Sequence, residues 1–326
     1  MNSSLSSSHS WDSIVVGGGS AGLSAALMLG RARRRVLVVD AGSPRNRFAA
    51  HMHAVLGNDG TPPSALLAKG RAELAEYDVA FVDDAVARVQ DADAGLLVTL
   101  AGGRVESARS LIVATGITDV LPDIPGLAER WGASVLHCPY CHGWEVRDRR
   151  LGVLATSPPA LHQARMVRQW ADRVVLFSAG LGVVGAADER RLRARGVEIV
   201  PDAVVEVLGE GDQVSGARLE GGRVIELDAL FTAGAPLPRD GFLADLALAR
   251  SELPGGLGSF LAVDQSGRTS HPRIWAAGNV VNPMVNVPIA MGAGAMVGAA
   301  VNGALVEEDF DLAVAEVDRA TGVGAR

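Results

Sequence analysis

Apolar and polar positions near the N-terminus predict a strand, a turn, a helix and a second strand, in that order. Residues 14–16 form a continuous β-branched run that leads directly into a glycine turn. The helix pattern behind the turn keeps small residues, Ala21, Ala25 and Ala26, on one face, and the second apolar run covers residues 36–39. Short continuous apolar runs of this kind are typical of parallel strands buried on both faces.

Two later segments show the same pattern of a buried strand followed by small residues. They are LIVATG at residues 111–116 and IWAAGNVVNP at residues 274–283. The last helix pattern begins at Pro288, because proline is favoured in the first turn of a helix. Its many glycines and alanines allow a backbone to approach a neighbour or a ligand closely.

The middle of the chain contains a second strand, turn, helix and strand, at residues 150–177. A proline-rich hinge, TDVLPDIPG, precedes this region, and the loop AGAPLPRDG follows it. The pattern predicts an α/β fold with two Rossmann-like, three-layer domains, the second inserted in the first. We expect the first domain at residues 11–116 and 244–326, the inserted domain at 117–243, and a disordered polar tail at 1–10.

The first turn carries a complete fingerprint for a dinucleotide. Gly17, Gly19 and Gly22 form G-x-G-x-x-G between a strand and a helix, and Asp40 ends the next strand. In such a site the glycines permit a tight turn, contact with pyrophosphate and close helix packing. The helix N-terminus offers amides to phosphate, and the acid binds the ribose hydroxyls.

Composition and charge narrow the class of protein. The chain has 326 residues, of which 48% are hydrophobic, and a net charge of −7, which argues against binding to nucleic acid. The serine-rich N-terminus lacks the apolar core of a signal peptide, and no apolar run is expected to approach membrane-spanning length. We therefore expect a cytoplasmic protein that does not bind membranes. Two close cysteines in a reducing compartment are typical of catalysis or metal binding.

Both cysteines lie in HCPYCHG, at residues 137–143, and four interpretations of this motif are open. A zinc site needs four ligands, and His137 and His142 would have to supplement the two cysteines. Ligands packed this tightly along the chain rarely make a closed site, so no metal is expected. The glutaredoxin motif has the same four letters but belongs to a small fold with the motif near its first strand. Inert buried thiols are the third possibility. The favoured interpretation is a redox pair at a helix start, with Pro139 restricting the turn.

The order of these segments resembles the low-molecular-weight thioredoxin reductases over nearly the whole chain. VGGGSAG, LIVATG, CPYC and AAGN each stand where that family has its corresponding motif. The resemblance implies a homodimer that binds FAD in the discontinuous domain and NADPH in the inserted one, with a redox C-x-x-C near the start of the insert. It implies that FAD is held by Gly17, Gly19, Ser20, Ala21, Gly22, Asp40, Ala41, Arg47, Thr115, Gly116, Gly278, Asn279, Pro288 and Ile289.

The chain departs from the reductases at two places. The turn that should bind NADPH is ATSPPA, at residues 155–160, where two prolines remove backbone amides, and the expected histidine and arginines do not follow the next strand. His142 replaces the acid that the reductases have after the second cysteine. CPYCHG instead resembles the FAD-dependent dithiol oxidases of holomycin, gliotoxin and romidepsin biosynthesis, whose electrons pass to dioxygen.

The resemblance implies that the chain oxidises a small-molecule dithiol through Cys138 and Cys141, with dioxygen as acceptor and peroxide as product. Cys138 is expected to react with substrate, Cys141 to lie next to the flavin, and His142, with His137 as a second candidate, to move protons. An NADPH-dependent thioredoxin reductase with a degenerate nucleotide site is the alternative. A flavin-binding sensor without activity is a third class, which the intact cysteine pair disfavours.

Overall fold

The computed structural model describes residues 11–92 and 95–321, so the predicted tail at 1–10 lies outside the described residues. The first part of the chain forms six strands and two helices. They are β1 (Trp11–Val16), α1 (Ser20–Arg31), β2 (Val36–Val39), α2 (Pro63–Ala75), β3 (Ala80–Val82), β4 (Val86–Ala92), β5 (Gly95–Leu100) and β6 (Val105–Val113).

The middle of the chain is richer in short strands. Its elements are β7 (Ile117–Val120), β8 (Val135–Leu136), α3 (Pro139–His142), β9 (Arg150–Leu154), α4 (Ala160–Val167), β10 (Arg173–Phe177), α5 (Ala186–Ala194), β11 (Val197–Val200), β12 (Val204–Glu210), β13 (Gln213–Leu219), β14 (Val224–Glu226), β15 (Ala229–Thr232) and β16 (Ala235–Pro238).

The last part returns to the first sheet and ends in a long helix. Its elements are β17 (Arg250–Leu253), β18 (Gly258–Leu261), β19 (Ile274–Ala276) and α6 (Val287–Thr321). Short 3₁₀ turns cover Ala128–Arg130, Ala179–Leu181, Gly241–Leu246, Pro254–Gly256 and Gly278–Val280.

The first sheet brings the four strands predicted from the apolar pattern side by side. Its order is β3-β2-β1-β6-β5-β4, and β19 pairs with the second half of β6. Val16 lies opposite Val39 and Val113, and Val113 lies opposite Ala276, all in parallel register. The carboxyl ends of β1, β2, β6 and β19 therefore meet at one edge of the sheet, where parallel α/β folds place their ligands.

Helices α1 and α6 pack on this sheet through very small residues. A Cβ atom on Gly294 would lie 2.0 Å from Ala21 O, and one on Gly298 would lie 2.5 Å from Ala25 O. These glycines allow the two helices to approach backbone to backbone. Val297, Val301 and Leu305 of α6 belong to the same core.

The length of α6 corrects one expectation from the sequence. By length and composition, this helix of 35 residues is apolar enough to cross a membrane, so the expectation that no apolar run approaches that length is wrong. The glycines, alanines and valines that raise its hydropathy are in part those that pack against α1 in the core. We therefore interpret the face of α6 that packs against α1 as part of the core of the first domain.

The second domain has a parallel sheet of order β11-β10-β9-β15-β8 and a separate antiparallel sheet of β12, β13 and β14. Two antiparallel strands, β7 and β16, form a ribbon where the chain enters and leaves this domain. The α/β fold with two dinucleotide-binding-type domains, one inserted in the other, is confirmed. Its expected limits, at residues 116–117 and 243–244, stay a prediction.

Candidate active site

The glycine turn after β1 is shaped by contacts that only glycine permits. Gly17 has φ of +107°, and a Cβ atom there would lie 2.5 Å from Ala114 O. A Cβ on Gly22 would lie 1.9 Å from Gly17 O, so α1 packs directly against the turn. Space is open beside Gly19, where no other atom lies within 4 Å of a Cβ position. The turn is therefore tight on its inner side and accessible on its outer side, as a pyrophosphate site requires.

The first amides of α1 are available to a ligand. Leu23 N is the first donor of the helical ladder and donates to Gly19 O at 2.9 Å. The amides of Ser20, Ala21 and Gly22 precede that ladder, which is the usual state of a helix N-terminus. With the helix dipole they form a site for phosphate oxygens.

Asp40 follows β2 and already has partners within the protein. Its carboxylate accepts hydrogen bonds from Gly42 N at 3.2 Å and from Arg71 Nη2 at 2.7 Å. A Cβ on Gly18 would lie 2.5 Å from Asp40 Oδ2, so Gly18 makes room for this carboxylate. Sequence reasoning missed both Arg71 and Gly18. The middle glycine of GGGS was an available signal for Gly18, whereas nothing in the sequence indicated Arg71.

A cavity of about 1070 Å³ runs along the carboxyl edge of the first sheet and reaches the cysteine pair. Most of the predicted site residues lie in its wall: Gly17, Gly19, Ser20, Ala21, Asp40, Ala41, Thr115, Gly116, Gly278, Asn279, His137, Cys138, Cys141 and His142. Thr115 Oγ1 is buried and, among the described residues, has no hydrogen-bond partner. An orphaned hydroxyl beside an open glycine turn fits a polar cofactor such as FAD.

Four predicted residues lie outside this wall. Gly22 is packed inside the turn, and Pro288 and Ile289 are exposed in the first turn of α6. Arg47 lies over the ring of Phe48, 4.1 Å from its centroid, and lines a smaller neighbouring cavity of about 270 Å³. Their roles toward FAD stay predictions.

Arg45, two residues before Arg47, lies in the large cavity, and sequence reasoning missed it. Its guanidinium group holds the carboxylate of Asp119 through two hydrogen bonds of 2.7 and 2.8 Å. It also donates to Pro283 O at 2.7 Å, and Asn279 donates to the same oxygen at 3.2 Å. Both arginines lie in one irregular loop, so no periodicity distinguishes them.

The cysteine pair forms a disulfide at the start of α3. The Cα atoms of Cys138 and Cys141 are 5.2 Å apart. Cys138 is the N-cap of the helix, Pro139 begins it, and Cys141 N donates to Cys138 Sγ at 3.2 Å. A helix N-terminus stabilises a thiolate, so this geometry suits a pair that opens and closes. The disulfide supports the redox interpretation, because two bonded sulfurs are not thiolate ligands.

Both histidines of the motif lie beside the disulfide, and both favour the neutral form. Burial lowers the pKa of His142, and the charge of His53 lowers it further against the opposing effect of Glu145. Burial also lowers the pKa of His137, and so does the charge of Arg45. A neutral imidazole beside a thiol is able to accept its proton.

His53 connects the two domains next to this pair. Its Nδ1 lies 3.4 Å from Asp59 Oδ2 in the first domain, and its Nε2 lies 3.4 Å from Glu145 Oε1 in the inserted domain. His51, two residues earlier in the same loop, lines the large cavity together with His53.

The turn after β9 differs physically from the glycine turn after β1. Pro158 and Pro159 lack amides, and the first amides of α4 are already used. Ala160 N donates to Ser157 O at 3.0 Å, Leu161 N to Pro158 O at 3.2 Å, and His162 N to Pro159 O at 3.0 Å. This helix start therefore has few donors left for a phosphate group.

A dinucleotide cavity that ends at a disulfide defines the class as a disulfide oxidoreductase. The chain matches the family described as pyridine nucleotide-disulphide oxidoreductase over residues 11–294, and it belongs to that family. Members of its thioredoxin reductase-like branch are FAD-binding flavoproteins, so FAD is the cofactor.

Individual relatives confirm the resemblance drawn from the sequence. Thioredoxin reductase tcpT of Claviceps purpurea is 35% identical over 90% of this chain and 94% of that relative. Thioredoxin reductase sirT of Leptosphaeria maculans is 32% identical, over 90% and 93% respectively. The crystal structure of HlmI is 44% identical, covers 95% of this chain and 97% of its own, and superimposes with a TM-score of 0.89.

Proposed function

We propose that this oxidoreductase converts a small-molecule dithiol into an intramolecular disulfide, with dioxygen as the final electron acceptor. The observation that carries the proposal is the turn after β9, where prolines and internally bonded amides occupy the place of a phosphate site. Without a nucleotide to reduce the protein, electrons enter from the dithiol. The 44% identity with HlmI supports this assignment over most of the chain.

The dithiol reaction is two successive thiol–disulfide exchanges. A substrate thiolate attacks Cys138 Sγ, the Cys138–Cys141 bond breaks, and Cys141 leaves as a thiolate. The second substrate thiolate then attacks the substrate sulfur of the mixed disulfide and releases Cys138. The product is a cyclic disulfide, and two electrons remain on the protein as two thiols.

Charge and proton placement favour this sequence of steps. Cys141 N donates to Cys138 Sγ, so the Cys138 thiolate released in the second exchange is stabilised. His142, held neutral by burial, takes the proton of the attacking thiol. His137 is the second candidate for this role, and its ring lies 3.4 Å from Thr232 O.

FAD would be held by the glycine turn, the α1 N-terminus, Asp40 and Thr115. When bound, it supplies the reoxidation of the two thiols, since it accepts two electrons that dioxygen takes up with two protons as hydrogen peroxide. The protein's own contribution is to position the cysteine pair in the same cavity and to hold a neutral histidine beside it.

An NADPH-dependent thioredoxin reductase is the second candidate, favoured by the printed names of tcpT and sirT. Anaerobic titration separates the two. We expect a stoichiometric dithiol, such as dithiothreitol, to bleach the flavin absorption, and NADPH at micromolar concentration to leave it unchanged. Rapid bleaching by NADPH would contradict the oxidase and favour the reductase.

The biological setting is part of the proposal. The resemblance to the dithiol oxidases of disulfide-containing antibiotics and toxins supports a place in natural-product biosynthesis or self-protection. It also supports a homodimer in the cytoplasm. Detection of peroxide with the purified enzyme tests the reaction. Sedimentation of the holoenzyme tests the oligomeric state.

A further inference from the structure

One end of the large cavity is enclosed by segments from three different parts of the chain. They are the disulfide helix α3, the exposed side of α4 and the tip of the β17–β18 hairpin. We use the term α4 subsite for the region lined by Tyr140, Pro159, His162, Met166 and Leu257. Because the α4 subsite lies beside Cys138, a substrate that attacks the disulfide would contact it.

The α4 subsite is held together by specific contacts. Gln163 Nε2 donates to His137 O at 2.7 Å, which ties α4 to the segment before Cys138. The ring of Tyr140 packs edge-on against Trp170, with centroids 5.6 Å apart. Tyr140 is nevertheless 69% exposed, so most of its ring is available for contact.

The hairpin tip closes the subsite from the side of the first domain. Gly255 and Gly256 have φ of +77° and +75°, a left-handed conformation that favours glycine. A Cβ on Gly255 would lie 3.1 Å from Pro159 Cγ, so the tip contacts the proline turn directly. Leu257 follows the tip and lines the cavity.

No formally charged residue of the described structure lines the α4 subsite itself. The charged residues in the described wall of the large cavity come from the first domain and the ribbon: Asp40, Arg45, Asp84, Asp119 and Arg239. The wall residues contributed by α3, α4 and the hairpin tip include no Asp, Glu, Lys or Arg in the described structure. A charged ligand placed there would lose hydration without gaining a partner.

We infer that the α4 subsite binds an uncharged, largely apolar body of the dithiol while its thiols reach Cys138. The inference rests on the proposed function and adds the substrate class: neutral dithiols, in preference to dithiols that carry a carboxylate. The same turn that no longer suits a nucleotide phosphate thereby becomes part of the substrate wall.

The test uses dihydrolipoamide and dihydrolipoate, which share one dithiol skeleton and differ in a carboxamide or a carboxylate. Oxidation by the FAD-loaded enzyme is followed through peroxide. Binding of the cyclic disulfides lipoamide and lipoate is measured by calorimetry, so it does not depend on turnover. We expect kcat/KM and affinity to favour the amides by about tenfold or more, because the carboxylate is desolvated without a partner.

Two substitutions test whether the preference for the amides arises at the α4 subsite. Leu257→Asp should weaken lipoamide binding by about tenfold, whereas Val183→Asp, a similar change at a side chain 95% exposed, should not alter it. FAD absorbance confirms that each variant is folded. Equal affinity for lipoamide and lipoate, or equal behaviour of the two variants, would overturn the subsite. Preferential lipoamide binding without dihydrolipoamide oxidation would leave the subsite standing and contradict the proposed function.

Discussion

At the scale of single residues, the two cysteines should behave differently despite their symmetry in the sequence. Cys138→Ser removes the atom that substrate attacks and leaves Cys141 as a lone thiol, so dithiol turnover should vanish. If Cys141 faces the flavin, its thiolate should add a broad charge-transfer absorption at long wavelength. Cys141→Ser should be inactive without this band. Absorption spectra and peroxide production measure both effects, and a band seen only in Cys141→Ser would reverse the two roles.

His142 should determine the acid side of the pH–rate profile. Burial lowers its pKa below about 6.5, so the neutral, proton-accepting form persists to lower pH than for an exposed histidine. We expect His142→Ala to reduce turnover by ~10²–10⁴-fold and to move the acid limb upward, toward the substrate thiol's pKa of about 8.5. The matched control is His271→Ala, since His271 lies near Asp91 and outside the cavity. An unchanged profile in His142→Ala would exclude this role.

At the scale of elements, the contact between α1 and α6 should depend on single glycines. Gly294→Ala forces a methyl group against the backbone of Ala21 and should lower stability by ~1–3 kcal/mol, with weaker FAD retention. Gly303→Ala, in the same helix, meets open space and should raise stability by up to ~1 kcal/mol. Thermal unfolding and flavin content measure both. Equal effects would show that close packing of these helices is not required.

The sequence predicted the buried strands and the glycine turn but not the contacts between distant segments, and both results have a physical reason. Buried parallel strands produce local apolar runs, so β1, β2, β6 and β19 and the turn at Gly17 could be predicted from pattern and spacing. Contacts between distant segments produce no such local signal. Arg71 reaches Asp40, and the tip at Gly255 reaches Pro159, only because the fold brings them together. The same limit explains why Arg45 was missed in favour of Arg47.

At the scale of the whole molecule, several contacts hold the inserted domain against the first, and three of them can be compared. A Cβ on Gly132 would lie 2.5 Å from Phe48 Cβ, the hairpin tip lies on Pro159, and His53 lies beside Glu145. The partly exposed His53–Glu145 contact is worth at most about 1 kcal/mol, so the two packed contacts should matter more. Together they keep the disulfide in the FAD cavity, which is the arrangement a dithiol oxidase needs throughout its cycle.

We therefore expect the domains to keep this arrangement whether the cysteine pair is oxidised or reduced. Small-angle X-ray scattering of the holoenzyme before and after anaerobic dithiothreitol should give superimposable curves. Gly132→Leu is the positive control, because its φ of +84° and the backbone of residue 48 leave no room for a side chain, so the insert should be displaced. A change in the wild-type curve comparable to that of Gly132→Leu would indicate a rotating insert. It would also favour the NADPH-dependent reductase, because rotation of the inserted domain would let the nicotinamide of NADPH reach the flavin.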